Sequence, residues 1–259
     1  IGGGVGGDLA GFVASTYMRG INFIQVPTTL LACTDSSVGG KTAIDTSFGK
    51  NMIGTFYQPK CVFINPVFLR TLDERQFKSG IGEVVKYAFI EKSCKCEEEY
   101  NLMNFLAENF ERIKQRDEKT LSKIIDICIN LKKSIVEKDE KESDLRRILN
   151  FGHTYGHAIE KMGNYHQYTH GEAVVEGMRF AFHLALNANL IDRNYCFFAE
   201  DIFKVFGFPH IPKYENAKMI KIMKSDKKAE KDSINFILPT DYATVEVIEI
   251  VDCKGLSIK

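Results

Sequence analysis

Asn150-Phe151-Gly152-His153-Thr154-Tyr155-Gly156-His157, followed by His170-Gly171-Glu172, decides how the second half of this chain is read. Apolar residues recur at helical spacing through 148–162 and again through 173–190, so helices are expected there, with His170-Gly171-Glu172 opening the second. Residues four apart share a helix face, which lets His153 and His157 point into one cavity. Far upstream, Gly82-Glu83-Val84-Val85-Lys86 adds a carboxylate. Three ligands drawn from His, Asp and Glu, with one position left for water or substrate, are the usual set around a catalytic zinc. Spacing alone leaves open whether His153, His157 or both are ligands, and it leaves His166 as a rival to His170. Gly152 and Gly156 sit in the helical run, where each costs about 1 kcal/mol relative to Ala. That cost points to close approach by a ligand or by another backbone.

Working outward, the same periodicity through 77–90, 102–113, 121–136 and 198–206 predicts a mainly α-helical C-terminal domain over 73–259. Within it, 234–238 and 244–248 read as a strand pair. The charged run 137–142 and Asp226-Lys227-Lys228 read as solvated segments. Upstream the pattern is α/β. Phe23-Ile24-Gln25-Val26 reads as a buried strand closed by Pro27, Thr28-Thr29 begin a short helix, and 61–64 reads as a second strand. Between them lies a polar loop in which 35–42 places a carboxylate, hydroxyls, two glycines and a lysine together, and Gly49-Lys50-Asn51 repeats the theme. Gly40-Lys41-Thr42 ends like a P-loop, but Asp35 occupies the position of its first glycine and no apolar strand abuts it. A lysine contacting phosphate in a sugar-phosphate site fits better. The glycine run from Ile1 to Asp8 resembles a strand-to-helix junction that receives a phosphate or pyrophosphate, without the G-x-G-x-x-G spacing. With no strand before it, residues 1–72 are expected to be the remainder of an α/β nucleotide-binding domain whose parallel sheet is truncated at its start.

Composition narrows the class. A chain of 259 residues, 44% hydrophobic and 26% charged, is ordinary for a globular protein without a membrane span. Lys plus Arg equals Asp plus Glu at 34 each, so no overall field favours nucleic acid, and small-molecule partners are expected. Seven scattered cysteines argue for reduced thiols and a cytoplasmic location. Cys94-Lys95-Cys96 has no second pair nearby and is not read as a metal site.

Taken in order, GGGVGGD (2–8), VPTTLLACTDSSVGGKTAID (26–45), FGKNMIG (48–54), GEVVKYAFI (82–90), LRRILNFGHTYGHAIE (145–160), HGEAVVEGM (170–178) and DKK (226–228) closely resemble the 3-dehydroquinate synthase family. These are NAD- and divalent-metal-dependent enzymes of the shikimate pathway, and the resemblance runs from residue 1 to about residue 240. It implies Glu83, His153 and His170 as ligands of one metal ion, Zn²⁺ or Co²⁺. His157 becomes an acid/base and substrate residue, Glu142 a second acid/base, and Lys86 a catalytic and substrate residue. Cofactor contacts are implied at Gly3, Gly4, Val5, Asp8, Thr28, Thr29, Lys50, Phe68 and Thr71. Substrate contacts are implied at Asp35, Lys41, Asn51, Lys86, Lys132, Arg146 and Asn150, with Arg19 reaching into the neighbouring subunit of a homodimer. One of Lys227 and Lys228 also meets substrate. His183 and His210 match nothing in the family pattern and are read as structural.

The family's reaction explains these residue types. Its substrate, 3-deoxy-arabino-heptulosonate 7-phosphate, carries a carboxylate and a phosphate, so several Lys and Arg must converge on it. Transient oxidation by NAD precedes phosphate elimination, re-reduction, ring opening and an intramolecular aldol closure to 3-dehydroquinate. Other readings are a sister sugar-phosphate cyclase making an inosose or valiolone, and a metal-dependent polyol dehydrogenase, which would accumulate NADH. A different class is a non-catalytic metal-binding fragment or interaction subunit, which would hold zinc without NAD.

Overall fold

The glycine run at the start of the chain folds as the expected strand-to-helix junction. Gly2 bridges Pro27 in parallel: its N–H donates to the Val26 carbonyl at 3.1 Å, and its carbonyl accepts from Thr28 N–H at 2.9 Å. The chain then enters helix α1 (Gly4–Thr16). This computed structural model describes residues 1–46, 49–226 and 233–251. Contacts group the chain into two units, Ile1–Val84 with Lys95–Arg146, and Val85–Cys94 with Arg147–Lys259.

In the first unit, β1 (Ile24–Gln25) pairs in parallel with β4 (Cys61–Val62), within the two runs expected as strands. The run 23–26 is not buried as expected: Ile24 is 62% exposed, and Phe63 beside it on the partner run is 56% exposed. The intervening polar loop is not all loop. From Lys41 onward it forms an antiparallel hairpin, β2 (Lys41–Thr46) and β3 (Gly49–Phe56). Branched residues carry it: Ile44 faces Ile53, and the Thr42 hydroxyl donates to the Thr55 carbonyl at 3.0 Å. Its polar composition concealed it, because β3 is exposed along nearly its whole length. The hairpin lies on α1, where a Cβ at Gly11 would meet Thr42 Cγ2 at 2.5 Å. Ahead of it, a wide-turned helical stretch (Ala32–Ser36) carries Asp35.

Helix α2 (Glu74–Ile90) runs unbroken from residues of the first unit into residues of the second, and every residue from 79 to 91 is buried. At Gly80 a Cβ would stand 2.6 Å from Leu30 Cβ. The run 102–113 splits into α3 (Leu102–Glu108) and α4 (Phe110–Lys114), because the Asn109 side chain donates to the Phe105 carbonyl at 2.9 Å and competes with the helix. Then α5 (Glu118–Val136) starts from Asp117, whose carboxylate accepts the Thr120 N–H at 2.9 Å.

The second unit centres on α6 (His153–Met162) and α7 (His170–Asn187). The helix expected over 148–162 begins only at His153. Residues Leu145–Asn150 form a 3-10 stretch, and Gly152, at φ 78°, is the left-handed residue before the helix. Gly152 and Gly156 serve backbone approach. A Cβ on Gly177 of α7 would fall 1.8 Å from the Gly152 carbonyl oxygen, and one on Gly156 would fall 3.0 Å from the Ala173 oxygen. Phe89 packs with Phe182 and Phe203 at ring separations of 5.0 and 5.6 Å. Helix α8 (Arg193–Val205) supplies Phe203, and α9 (Asn216–Asp226), which periodicity did not reveal, packs against α6. The predicted late strand pair is present as β5 (Ser233–Asp241) and β6 (Thr244–Val251), antiparallel, with Ile234 opposite Ile250. Phe236 on β5 meets Phe180, which stacks on Tyr155 at 4.2 Å and so seats the hairpin on α6 and α7. Among the described residues, no helix is long and apolar enough to cross a membrane.

Because nothing can yield between Gly177 and the Gly152 carbonyl except the helices themselves, Gly177→Ala should force α6 and α7 apart. We expect a loss of about 1–3 kcal/mol, the usual cost of overpacking, measured by urea denaturation. Unchanged stability would contradict the close approach.

Candidate functional site

Each half of the His/Glu constellation has a local reason to be where it is. Glu83 lies on the buried stretch of α2 with none of its surface exposed, and an ionised carboxylate is tolerated there only when it is paired or ligating. His153 is the first residue of α6, set by the left-handed turn at Gly152. Its Nδ1 lies 3.0 Å from the Phe151 carbonyl; donating there leaves Nε2 with its lone pair. His170 is the first residue of α7, placed by a capping box: Thr169 Oγ1 accepts the Glu172 N–H at 3.3 Å, and the Glu172 carboxylate accepts the Thr169 N–H at 2.8 Å. Glu172 is therefore a capping residue. One ligand atom from each of Glu83, His153 and His170 lies within 4.8 Å of the other two. This is the only such group among the described residues, and His166 and the Cys94/Cys96 pair are not in it. Two imidazoles and a carboxylate suit zinc or cobalt.

His157, one turn beyond His153, stands beside the trio but outside it. Its ring lies 5.4 Å from that of His153, nearly perpendicular, and 6.4 Å from that of His170. Lys86 is buried on α2 with Nζ 4.7 Å above the Tyr87 ring. Asn150 closes the 3-10 stretch ahead of Gly152.

In the first unit the structure assembles a second cluster. Lys132 on α5 donates to the Asp35 backbone carbonyl at 2.6 Å and pairs with its carboxylate at 3.0 Å. Buried Arg146 donates to the carbonyls of Gly39, at 3.0 Å, and of Glu140. Lys41 pairs with Glu142. Asp35, Lys41, Lys132, Glu142 and Arg146 thus meet around one stretch of chain. The run 137–142 is not simply a solvated segment. Asp139 is folded in, accepting the N–H groups of Asp144 and Ser143 at 2.8 Å, that of Arg146 at 3.0 Å, and the Ser143 hydroxyl at 2.9 Å. Those donors hold its carboxyl well below the usual carboxylate range. Glu142 sits within the turn at φ 60°.

Gly3 and Asp8, with Gln25, Pro27 and Ser36, line a cleft at the start of α1. Burial pushes the Asp8 carboxyl up to about 7, assisted by Asp35 and Asp45 and opposed by Lys132. Gly4 and Thr29 adjoin this cleft's residues, Thr29 packing against Gly3 so closely that a Cβ there would meet it at 2.9 Å. Thr28 is tied to Gly2, while Val5 is exposed on α1. Other cofactor candidates fall outside the cleft lining: Lys50 on β3, and Phe68 and Thr71 on a 3-10 stretch (Pro66–Thr71). Asn51, also on β3, donates its N–H to Asp45 at 3.0 Å. Arg19 is exposed and follows Met18 in a left-handed turn, at φ 65° and 49° respectively. Lys227 and Lys228 lie outside the described residues.

Solved structures share this architecture. The chain superposes on 2-deoxy-scyllo-inosose synthase complexed with carbaglucose-6-phosphate, NAD⁺ and Co²⁺ with a TM-score of 0.81 and 28% identity, over 99% of this chain and 71% of that one. Its fold also matches a 2-epi-5-epi-valiolone synthase from Streptomyces hygroscopicus with NAD⁺ and Zn²⁺ bound, at a TM-score of 0.86 and 24% identity, over 98% of this chain and 69% of that one. The class so defined is that of the sugar-phosphate cyclases. Residues 1–79 match the family model described as 3-dehydroquinate synthase N-terminal, and residues 80–229 the one described as 3-dehydroquinate synthase C-terminal. The 3-dehydroquinate synthase of Dictyoglomus thermophilum is 48% identical over 255 residues, 98% of this chain and 70% of the relative; that of a Thermoanaerobacter species is 46% identical over 262 residues, 100% of this chain and 71% of the relative. The chain belongs to the 3-dehydroquinate synthase family.

The Asp139 turn gives a pH test. A carboxyl whose folded pKa is depressed stabilises the fold above its unfolded value, about 3.9, and that stabilisation is lost as pH falls through the folded value. Asp139→Asn should therefore lower the melting temperature at pH 7, with the gap to the unaltered protein narrowing progressively as pH falls below about 4. A gap that stayed constant with pH would contradict the ionised anchor.

Proposed function

We propose that this protein converts 3-deoxy-arabino-heptulosonate 7-phosphate to 3-dehydroquinate and phosphate, with NAD and one divalent metal ion, Zn²⁺ or Co²⁺, as cofactors. The observation that carries the reading is the convergence of a buried carboxylate and two imidazoles at Glu83, His153 and His170 in a chain of this family. When bound, the metal ion supplies Lewis acidity, and NAD supplies a hydride acceptor regenerated within the turnover.

The chain's own residues then have distinct tasks. Lys41, Lys86, Lys132 and Arg146 bind the substrate's phosphate and carboxylate, and Asp35, Asn51 and Asn150 its hydroxyls, so that the sugar is held in a productive conformation. One of Lys227 and Lys228 joins them. His157 moves the proton at the C5 oxygen, and Glu142 serves as a second acid/base. Gly3, Gly4, Val5, Asp8, Thr28, Thr29, Lys50, Phe68 and Thr71 hold NAD, the first turn of α1 presenting its N–H groups to the pyrophosphate. Residues 1–72 would form the nucleotide-binding domain and 73–259 the domain binding metal and substrate. The protein would act in the cytoplasm as a homodimer in which Arg19 completes the neighbouring subunit's site. The relatives at 46–48% identity favour this substrate over that of the inosose synthase, which is 28% identical.

The direct test is phosphate release from the heptulosonate phosphate with NAD and Zn²⁺, with and without EDTA, while absorbance at 340 nm is followed. Metal-dependent release without net NADH is expected; accumulation of NADH would indicate a dehydrogenase instead. Two variants separate the histidines. His153→Ala should abolish metal binding, whereas His157→Ala should keep the metal and lose turnover by about 10²–10⁴-fold, the range for a general acid–base group. Metal analysis giving the reverse would exchange their roles.

Arg19→Ala should be inactive alone and recover activity when mixed with an inactive His157→Ala partner, read as phosphate release from the mixed dimers. No recovery on subunit exchange would argue against a shared site.

A further inference from the structure

Glu160 belongs to the same face of α6 as the two histidines, since 153, 157 and 160 follow the i, i+4, i+7 spacing of one helical stripe. Its side chain is only 4% exposed, and one of its oxygens lies 3.5 Å from Nδ1 of His170. His153 shows the same arrangement with a neutral acceptor, its Nδ1 lying 3.0 Å from the Phe151 carbonyl. Both imidazoles therefore have an oxygen beside Nδ1, an arrangement that favours the Nδ1–H tautomer and so leaves Nε2 for a ligand.

We propose that Glu160 is a positioning residue for the metal site: it holds the Nδ1 edge of His170 so that Nε2 meets the ion. A carboxylate at Nδ1 also strengthens the imidazole as a ligand, and such partners typically carry about a 10- to 100-fold effect on metal affinity. The inference rests on the metal reading above.

The test is zinc affinity by competition with a chromogenic chelator, for the unaltered protein and for Glu160→Gln, which preserves size and a weaker acceptor. We expect the dissociation constant to rise about 10- to 100-fold while the metal-free melting temperature holds. Failure of the unaltered protein to bind zinc would overturn the metal reading itself. Equal affinities for the two proteins would leave that reading intact and remove the role given to Glu160. Because the variant can fail to fold, a second measurement uses the zinc-loaded protein as it is: long-range ¹H–¹⁵N correlation of the histidine rings. A protonated Nδ1 and a metal-bound Nε2 on His170 are expected, and metal at Nδ1 would refute the proposal.

Discussion

The contact on which the second unit depends is between two backbones, at Gly177 of α7 and the carbonyl of Gly152 at the start of α6. Side chains would keep helices 8–10 Å apart; here the missing Cβ atoms let one backbone lie directly on the other. The consequence is chemical as well as mechanical. His153 follows Gly152 immediately, and His170 opens the helix that carries Gly177, so the closeness of the backbones brings the two rings to 5.2 Å. The proposed metal site takes its two histidines from helix starts, which must then be held rigidly. Gly152, through its backbone contact with Gly177 and its left-handed turn, and the capping box at Thr169 supply that rigidity.

The first unit solves a different problem, that of holding flexible cations in place. Lysine and arginine side chains carry large rotamer entropy, yet Lys132 and Arg146 are nearly fully buried, each fastened to backbone carbonyls of the 35–39 stretch. Asp139 fastens the turn from which Arg146 and Glu142 emerge. Ordering these groups in the folded protein means that less of their entropy remains to be lost on meeting an anion.

How much of this was legible in the sequence follows from the range of the interactions involved. The stripes on α2, α5, α7 and α8 were readable because burial repeats with the helix, and the parallel pair at Ile24 and Cys61 because each strand is a short apolar run. Glu83, His153 and His170 were candidates by residue type, and the resemblance favoured His170 over His166; the capping box of Thr169 and Glu172 that sets the ring of His170 was not read from the sequence. The β2–β3 hairpin was hidden because an exposed strand gives no apolar alternation. Asp139 and Glu160 were hidden because a buried carboxylate looks in sequence like any surface charge. Gly156 did announce a close approach, but whether a ligand or a backbone arrived there depended on Ala173, far along the chain.

The pairing of Lys41 with Glu142 bears on how the proposed substrate would be received. The chain has no net charge, so any attraction for an anion is local, and Lys41, Lys132 and Arg146 already hold acceptors. A phosphate or carboxylate at Lys41 would share that ammonium with the Glu142 carboxylate or displace it, and one approaching Lys132 would compete with Asp35. Exchange of one charged partner for another gains less than a new pair formed from solvent, so binding through these residues contributes more orientation than affinity. Glu142 is held at a left-handed turn by the Asp139 anchor, so the backbone that carries this carboxylate stays in place when its side chain exchanges partners.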